Sequence, residues 1–190
     1  RLTDLDEAQQ RRWIEEGPTH APGYRLEGWV GVCPDEWAER LARAFDAMVD
    51  APLDDIDWHL QPLTVEQLMQ RERFWTAKGG EIVTTLALAP DGEPAGASQI
   101  VVHPERLQVA DQADTGVVAA HRGHRLGRWL KAANLRRARA HAPGIEAVLT
   151  YNAESNPHML AINVEMGFRP YIAYAIHQGP VETAREAIGP

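Results

Sequence analysis

Residues 114–151 constrain the fold more than any other stretch: DTGVVAAHRGHRLGRWLKAANLRRARAHAPGIEAVLTY. DTGVVAA is apolar enough for a strand. Residues 125–140 repeat at helical spacing, with Leu126, Trp129, Leu130 and Ala133 on the inward face. Pro143 and Gly144 stop that helix, and IEAVLTY reads as a second strand. Two strands joined through a long helix are a crossover connection, which parallel neighbours require and antiparallel ones do not. Residues 115–119 and 145–151 are therefore expected to be a parallel pair.

The strands before them pair differently. EIVTTLALA and ASQIVVH flank APDGEPAG, whose Asp-Gly pair marks the turn of a hairpin. Further upstream, residues 1–16 suit a short polar helix and residues 24–30 an extended stretch. PDEWAERLARAFDAMVD opens a helix with Pro34 at its first position, and Trp37, Leu41, Phe45 and Met48 form its core stripe. Residues 51–63 look like a loop. Thr64 and Gln67 form a capping box that opens a helix running to Lys78, where Gly79 and Gly80 end it. A short helix over residues 156–165 and a final strand in FRPYIAYAIH complete the chain. The order, helices followed by β-β-β-α-β-α-β, gives an α/β (α+β) class. It predicts a mixed, mostly antiparallel sheet flanked by helices. Residues 1–60 are expected to be an N-terminal helical segment and residues 61–190 the core.

The composition fits one domain. The chain has 190 residues, 44% apolar and 24% charged. It contains no run of 18 apolar residues, so it offers no transmembrane helix and no membrane partner is expected. Its start is polar, unlike a signal peptide. The one cysteine, Cys33, excludes an intrachain disulfide and suits a reducing, cytoplasmic setting. Cys33 is read as a packing residue. Position 1 is Arg rather than Met, which fits a processed start or a piece of a longer chain. A net charge of −8 argues against nucleic acid as a partner. The acidic residues crowd into the first 70 positions, most densely in DDID at 54–57.

Against that background HRGHRLGRWLK is anomalous. It carries His121, Arg122, His124, Arg125, Arg128 and Lys131, no carboxylate, and two glycines, Gly123 and Gly127. A helix start leaves backbone N–H groups unpaired, and glycine lets an anion approach them. A phosphate or pyrophosphate site is the chemical reading. Neither GK[ST] nor G-x-G-x-x-G is present, so it is not a nucleotide-binding loop of those kinds.

The segment resembles motif A of the GNAT superfamily of N-acetyltransferases, where a strand leads into R/Q-x-x-G-x-G/A and a helix N-terminus holds the pyrophosphate of acetyl-CoA. Arg122 and Gly127 match, and Arg125 stands where the middle glycine usually sits. YNAESNPHMLAINVEMGFRP is similar to the family's later motif through Asn156, Met159, Gly167 and Phe168. The likeness covers roughly residues 64–175. It implies acetyl-CoA as co-substrate, held by Arg122, Gly123, His124, Arg125, Leu126, Gly127 and Arg128, with Asn152, Asn156 and Met159 along the pantetheine arm. It also implies a splayed parallel strand pair, with a backbone N–H at Val117 or Val118 polarising the thioester carbonyl. The stretch before residue 64 resembles the joining segments of tandem GNAT proteins, so a homodimer and a tandem partner domain both stay open.

The implied reaction moves an acetyl group to the amine of a small cationic substrate by direct attack in a ternary complex. Strand alternation places Gln112, Asp114, Gly116 and Val118 on one face, where Asp114 is the carboxylate nearest the expected thioester. Asp114 is therefore the candidate base, with His103 and Glu105 in reserve. The resemblance implies a tyrosine acid seven residues after Asn156, but Asn163 stands there and can only hydrogen-bond the sulfur. Tyr151 or water must then supply any proton. The missing tyrosine motivates the alternative of a non-catalytic acyl-CoA-binding domain. No metal is expected, since His121 and His124 lack partners at zinc spacing. Tyr24, Trp29, Trp58 and Trp75 are candidate walls for the acceptor.

Overall fold

The computed structural model describes residues 1–52, 57, 60–106, 108–176 and 178–179. Asp54, Asp55 and Trp58 lie outside the described residues, as does His177.

Asp6 caps α1 (Glu7–His20), its carboxylate accepting from Gln9 N–H at 2.8 Å. β1 (Arg25–Val30) follows. α2 (Asp35–Ala44) continues into a 3-10 turn at Phe45–Met48. Pro34 stands at the N-cap, one place before the first helical position expected for it. Thr64 and Gln67 close the capping box at the head of α3 (Val65–Ala77). Then come β2 (Glu81–Leu88), β3 (Pro94–Val102), β4 (Val109–Val117), α4 (Leu126–His141), β5 (Ala147–Thr150) and α5 (Pro157–Glu165).

The strands form one sheet in chain order, with β1 to β4 antiparallel and β5 parallel to β4. Alternation in β2 sorts the two faces. Val83 packs under α4 with Trp13, Ile100, Leu135 and Ile162. Leu86 and Leu88 pack against α2 with Leu41, Phe45 and Leu68. No helix among the described residues is long and apolar enough to cross a membrane.

Two strand boundaries differ from expectation, and both matter for the site. β4 starts at Val109 and ends at Val117, not across 114–120. Its partner register also breaks. Ser98 pairs Thr115 and Ile100 pairs Gln112, so Gln99 faces both Ala113 and Asp114, a β-bulge. The parallel ladder joins residues 109–112 to 147–150 and stops there. The bulge bends β4 where the pairing ends, and residues 113–117 leave β5 behind.

The final strand expected in FRPYIAYAIH is absent from its described part, residues 168–176. Gly167 turns the chain with φ of +98°, and a Cβ there would collide with the Asp4 carbonyl. The segment then crosses to Tyr151, whose ring lies 6.0 Å from that of Tyr174. Gln178 exchanges side-chain hydrogen bonds with the backbone of Asp57. Among the described residues β5 is thus one edge of the sheet, opposite β1.

Lys131, on the inward side of α4, is 1% exposed, and its ammonium lies 5.0 Å from the centre of the Phe168 ring. It makes no ion pair with any described residue. Burial brings its pKa down to about 7. An unfolded lysine keeps its proton to higher pH, so the unfolded state binds more protons between pH 7 and 10. Stability should therefore rise across that window. Lys131→Met is expected to be more stable than the parent at pH 6, by several kcal/mol, with the gap closing towards pH 10. Urea melts at the two pH values measure it. Identical pH profiles would contradict the assignment.

Candidate active site

The splay and the basic loop meet at the C-terminal end of β4. Val118 donates its N–H to Ala95 O at 3.0 Å, on the β3 side. Strand backbone groups alternate in direction, so the N–H and C=O of Val117 and Thr115 face the open edge. Of the two candidates for carbonyl polariser, Val118 is bonded to Ala95 and the Val117 N–H faces the open edge. Arg122 Nε, 3.3 Å from Val117 O, marks that edge.

A 3-10 turn at Ala119–His121 leads into the loop. Its backbone N–H groups pair as far as Arg122 and resume at Arg128 and Trp129, which both donate to Arg125 O. Beyond the turn at residues 122–123, the N–H groups of Arg125, Leu126 and Gly127 at the helix start make no bond among the described residues. They form a row of bare donors at a helix start, where the helix dipole is positive. Gly123 adopts φ of +89°. Arg125 sits at φ of 54°, the one positive-φ residue other than glycine among those described. A side chain there costs about 1 kcal/mol or more. The guanidinium of Arg125 meets His20 Nε2 at 3.0 Å, which ties the loop to α1.

Aromatic contacts fix the rest of the loop. Tyr24 Oη lies 3.0 Å from His121 Nδ1, and its ring is 5.3 Å from that of His124. Tyr24 therefore braces the basic loop. Trp29 stacks on Trp37 within the α2 face, and Trp75 packs edge-on to His103. Arg122 reaches Asp50 at 3.7 Å in an exposed pair of little energetic weight. Arg128 bonds Glu165 at 2.8 Å and lies over Trp13. It contributes to the α4–α5 packing through this one bond, and its Nε has no partner among the described residues.

On the other side of the splay, Asn156 Oδ1 caps α5 by accepting from Met159 N–H at 3.1 Å. Asn163 is buried, and its amide donates to Asn152 Oδ1 at 2.6 Å, tying α5 to the end of β5. Asn163 Oδ1 is buried without a partner among the described residues, so the amide retains one acceptor. Tyr151 is exposed at the end of β5. Tyr174 beside it, and Asp111 further off, push its phenol pKa up, which keeps the proton on.

The bulge also corrects the expected strand face. Gln112 is buried on the α4 side, donating to Ser98 Oγ and to Gln99 O. Asp114 and Gly116 point the opposite way, towards α3 and the 3-10 turn. Asp114 accepts from Arg71 at 2.9 Å. A Cβ on Gly116 would lie 2.8 Å from Ala47 Cβ, so glycine lets the turn press against the strand. The reserve base His103 bonds Asp111 at 3.0 Å, away from the splay.

Sequence reasoning missed what holds Arg71. Its second N–H bond goes to Gln99 Oε1 at 3.1 Å, and its guanidinium stacks 4.6 Å over Phe45. Gln99 in turn donates to the fully buried Glu72 at 2.8 Å. Glu72 also accepts the Cys33 N–H, and burial pushes its pKa up. One signal was available: Glu72 lies one helical turn after buried Leu68, a carboxylate on an apolar stripe. Cys33 is inert, since burial and then Glu72 carry its thiol up to about 12. A cavity of about 940 Å³ lies at the far end of the β4–β5 pair, between Gln10, Arg136 and Glu146, remote from this chemistry.

A parallel pair opened at a bulge, beside a cationic helix start with bare N–H groups, defines the GNAT fold. The chain belongs to the GNAT superfamily. A tandem GNAT protein from the clavulanic acid biosynthesis pathway is 30% identical, with a TM-score of 0.64 over 79% of this chain. The chain spans 43% of that protein's length. An acetyltransferase from Trypanosoma brucei has a TM-score of 0.57 at 20% identity, covering 81% of this chain and 99% of its own. An aminoglycoside N-acetyltransferase in complex with CoA has a TM-score of 0.55 at 12% identity, covering 82% and 96%. These last two likenesses concern the fold. No protein-family model matches the sequence, and no curated protein does.

Arg125→Gly should separate charge from backbone strain. The variant is expected to gain about 1 kcal/mol in thermal stability and to bind inorganic pyrophosphate several-fold more weakly, read by melting and calorimetry. Unchanged pyrophosphate affinity would remove Arg125 from the anion site.

Proposed function

We propose that the protein transfers an acetyl group from acetyl-CoA to the amine of a small substrate that is cationic in solution. One observation carries the reading: the unpaired N–H groups at the head of α4 lie one 3-10 turn beyond the open edge of residues 113–117. The first suits a pyrophosphate and the second an extended chain of amides, and together they match the two ends of a CoA arm. Residues Arg122 and Arg125 would add charge to the loop. Asn152 would offer an amide to the arm, while Asn156 and Met159 would hold the start of α5 against it.

In the proposed reaction the neutral amine attacks the thioester carbonyl in a ternary complex. A C–N bond forms, the C–S bond breaks, and the thiolate leaves. Val117 N–H, facing the open edge, would stabilise the developing oxyanion. The amine must first lose a proton, because an alkylammonium has a pKa of about 10, and Asp114 at the bulge is the proposed acceptor of that proton. Asn163 holds no transferable proton, so the acid role falls to Tyr151 or to water. The competing reading, a non-catalytic acyl-CoA-binding domain, draws on this Asn163 and on the engagement of Asp114 by Arg71.

Calorimetric titration with acetyl-CoA and with CoA, beside an Arg122→Ala, Arg125→Ala double variant, tests the binding. Micromolar affinity that falls at least about tenfold in the double variant is expected. Absence of binding in the parent would overturn the reading. Thiol release with an amine panel then separates the two functions. Asp114→Ala should lose at least about 100-fold in turnover while keeping CoA affinity. Tyr151→Phe should lose much less, because a CoA thiolate is a good leaving group. No thiol release with any amine would favour the non-catalytic domain.

A further inference from the structure

The Arg71–Asp114 pair is built more firmly than an incidental ion pair. Both side chains keep access to solvent, at 33% and 24% exposure. Arg71 is nevertheless immobilised, by stacking on Phe45, by Gln99 Oε1 and by Asp114. Gln99 cannot turn away, because its amide is held by Glu72 at 2.8 Å and by Thr84 at 3.0 Å, both fully buried. A fully buried carboxylate is costly to keep, and here Glu72 anchors the group that aims Arg71. Two N–H groups of Arg71 are engaged in this way, and the planar guanidinium carries five. The remaining donors are engaged by no hydrogen bond among the described residues, and the Arg71–Asp114 pair lies on the α3 face of the bulge.

We propose that Arg71 is the specificity-determining residue of the acceptor site and that the acceptor is an amino acid or a similar compound bearing a carboxylate beside its amine. The inference rests on the transferase reading and names its substrate class. A preset guanidinium beside a carboxylate is complementary to a zwitterion, the acceptor's carboxylate meeting Arg71 and its ammonium meeting Asp114. Little ordering cost remains when the anion arrives, because Arg71 is already fixed. An incoming carboxylate that shares Arg71 also leaves Asp114 oxygens for the ammonium, so the two halves of the substrate are recognised together. A simple amine brings only one partner to the pair and must leave Arg71 as it stands.

The test is calorimetric titration of the CoA-loaded full chain with the proteinogenic L-amino acids and with their methyl esters. At pH 6 both members of each couple carry an ammonium and only the acid carries an α-carboxylate. At least one amino acid is expected to bind about tenfold or more tightly than its ester. Arg71→Gln should lose that preference by weakening the acid alone, and Arg71→Lys should restore part of it, with CoA affinity unchanged in both. Equal binding of acids and esters, no binding of any amino acid, or an Arg71→Gln variant that weakens both alike would overturn the inference. The comparison within the parent chain stands even if a variant fails to fold. Thiol release separates this inference from the transferase reading. Acetylation of esters and plain amines as readily as acids would sink the inference and keep the transferase. Selective binding of an acid with no thiol release would keep the inference and sink the transferase.

Discussion

The bulge in β4 is the constraint on which the rest depends. Gln99 faces two residues, Ala113 and Asp114, where every other described position along the β3–β4 pair faces one. That extra residue bends β4 at the place where the parallel ladder with β5 ends. It exposes a row of backbone groups on one side and reverses the side-chain parity on the other. Asp114 and Gly116 reach the α3 face only because of it. Without the extra residue Asp114 would lie under α4, buried with Gln112.

A polar seam follows from the same geometry. On the α4 side, Ser98 Oγ and Thr115 Oγ1 lie 2.9 Å apart, Gln112 donates to Ser98, and Asn134 reaches both Ser98 and the Val83 carbonyl. Thr85 closes the group by donating to Asn134 Oδ1 at 3.0 Å. These buried groups satisfy one another across β2, β3, β4 and α4. On the α3 side, Thr84, Gln99 and Glu72 do the same and end at Arg71. The sheet is therefore fixed in register on both faces just where β5 stops supporting it.

Much of this was legible in the sequence, and the reasons it was legible are local. The capping box at Thr64, the helix beginning at residue 126 and the crossover that forces a parallel pair are all written in short-range pattern. The anion loop was readable because glycine and cationic residues cluster at one helix start. The bulge left no such mark. Ala113 and Asp114 are ordinary strand residues, and only pairing with β3 shows that one of them is extra. Strand alternation therefore put Asp114 on the wrong face. Val118 was a fair candidate by position, yet its N–H is spent on Ala95, a partner 23 residues away. Arg128 reads as one more cation in a basic run, and the sequence does not show that Glu165, 37 residues on, engages one of its nitrogens. The final strand failed for a related reason: alternating Tyr and Ile signal a willingness to pair, and Gly167 carries the chain away from the edge that would pair with it.

The shortness of the parallel ladder has a mechanical consequence. β5 is joined to the sheet over four residues, with Glu146 and Ala147 N–H sharing the Gln108 carbonyl at its entry. Antiparallel pairing elsewhere in the sheet runs six to eight residues. The β5–α5 unit is thus the part of the sheet with the fewest hydrogen bonds to break, and local opening draws on such elements first. The cleft between β4 and β5 is a built seam between a rigid meander and a lightly hinged leaf. Its backbone amides should exchange with solvent well before those of β2 and β3, and the leaf can swing without disturbing the loop that grips the anion.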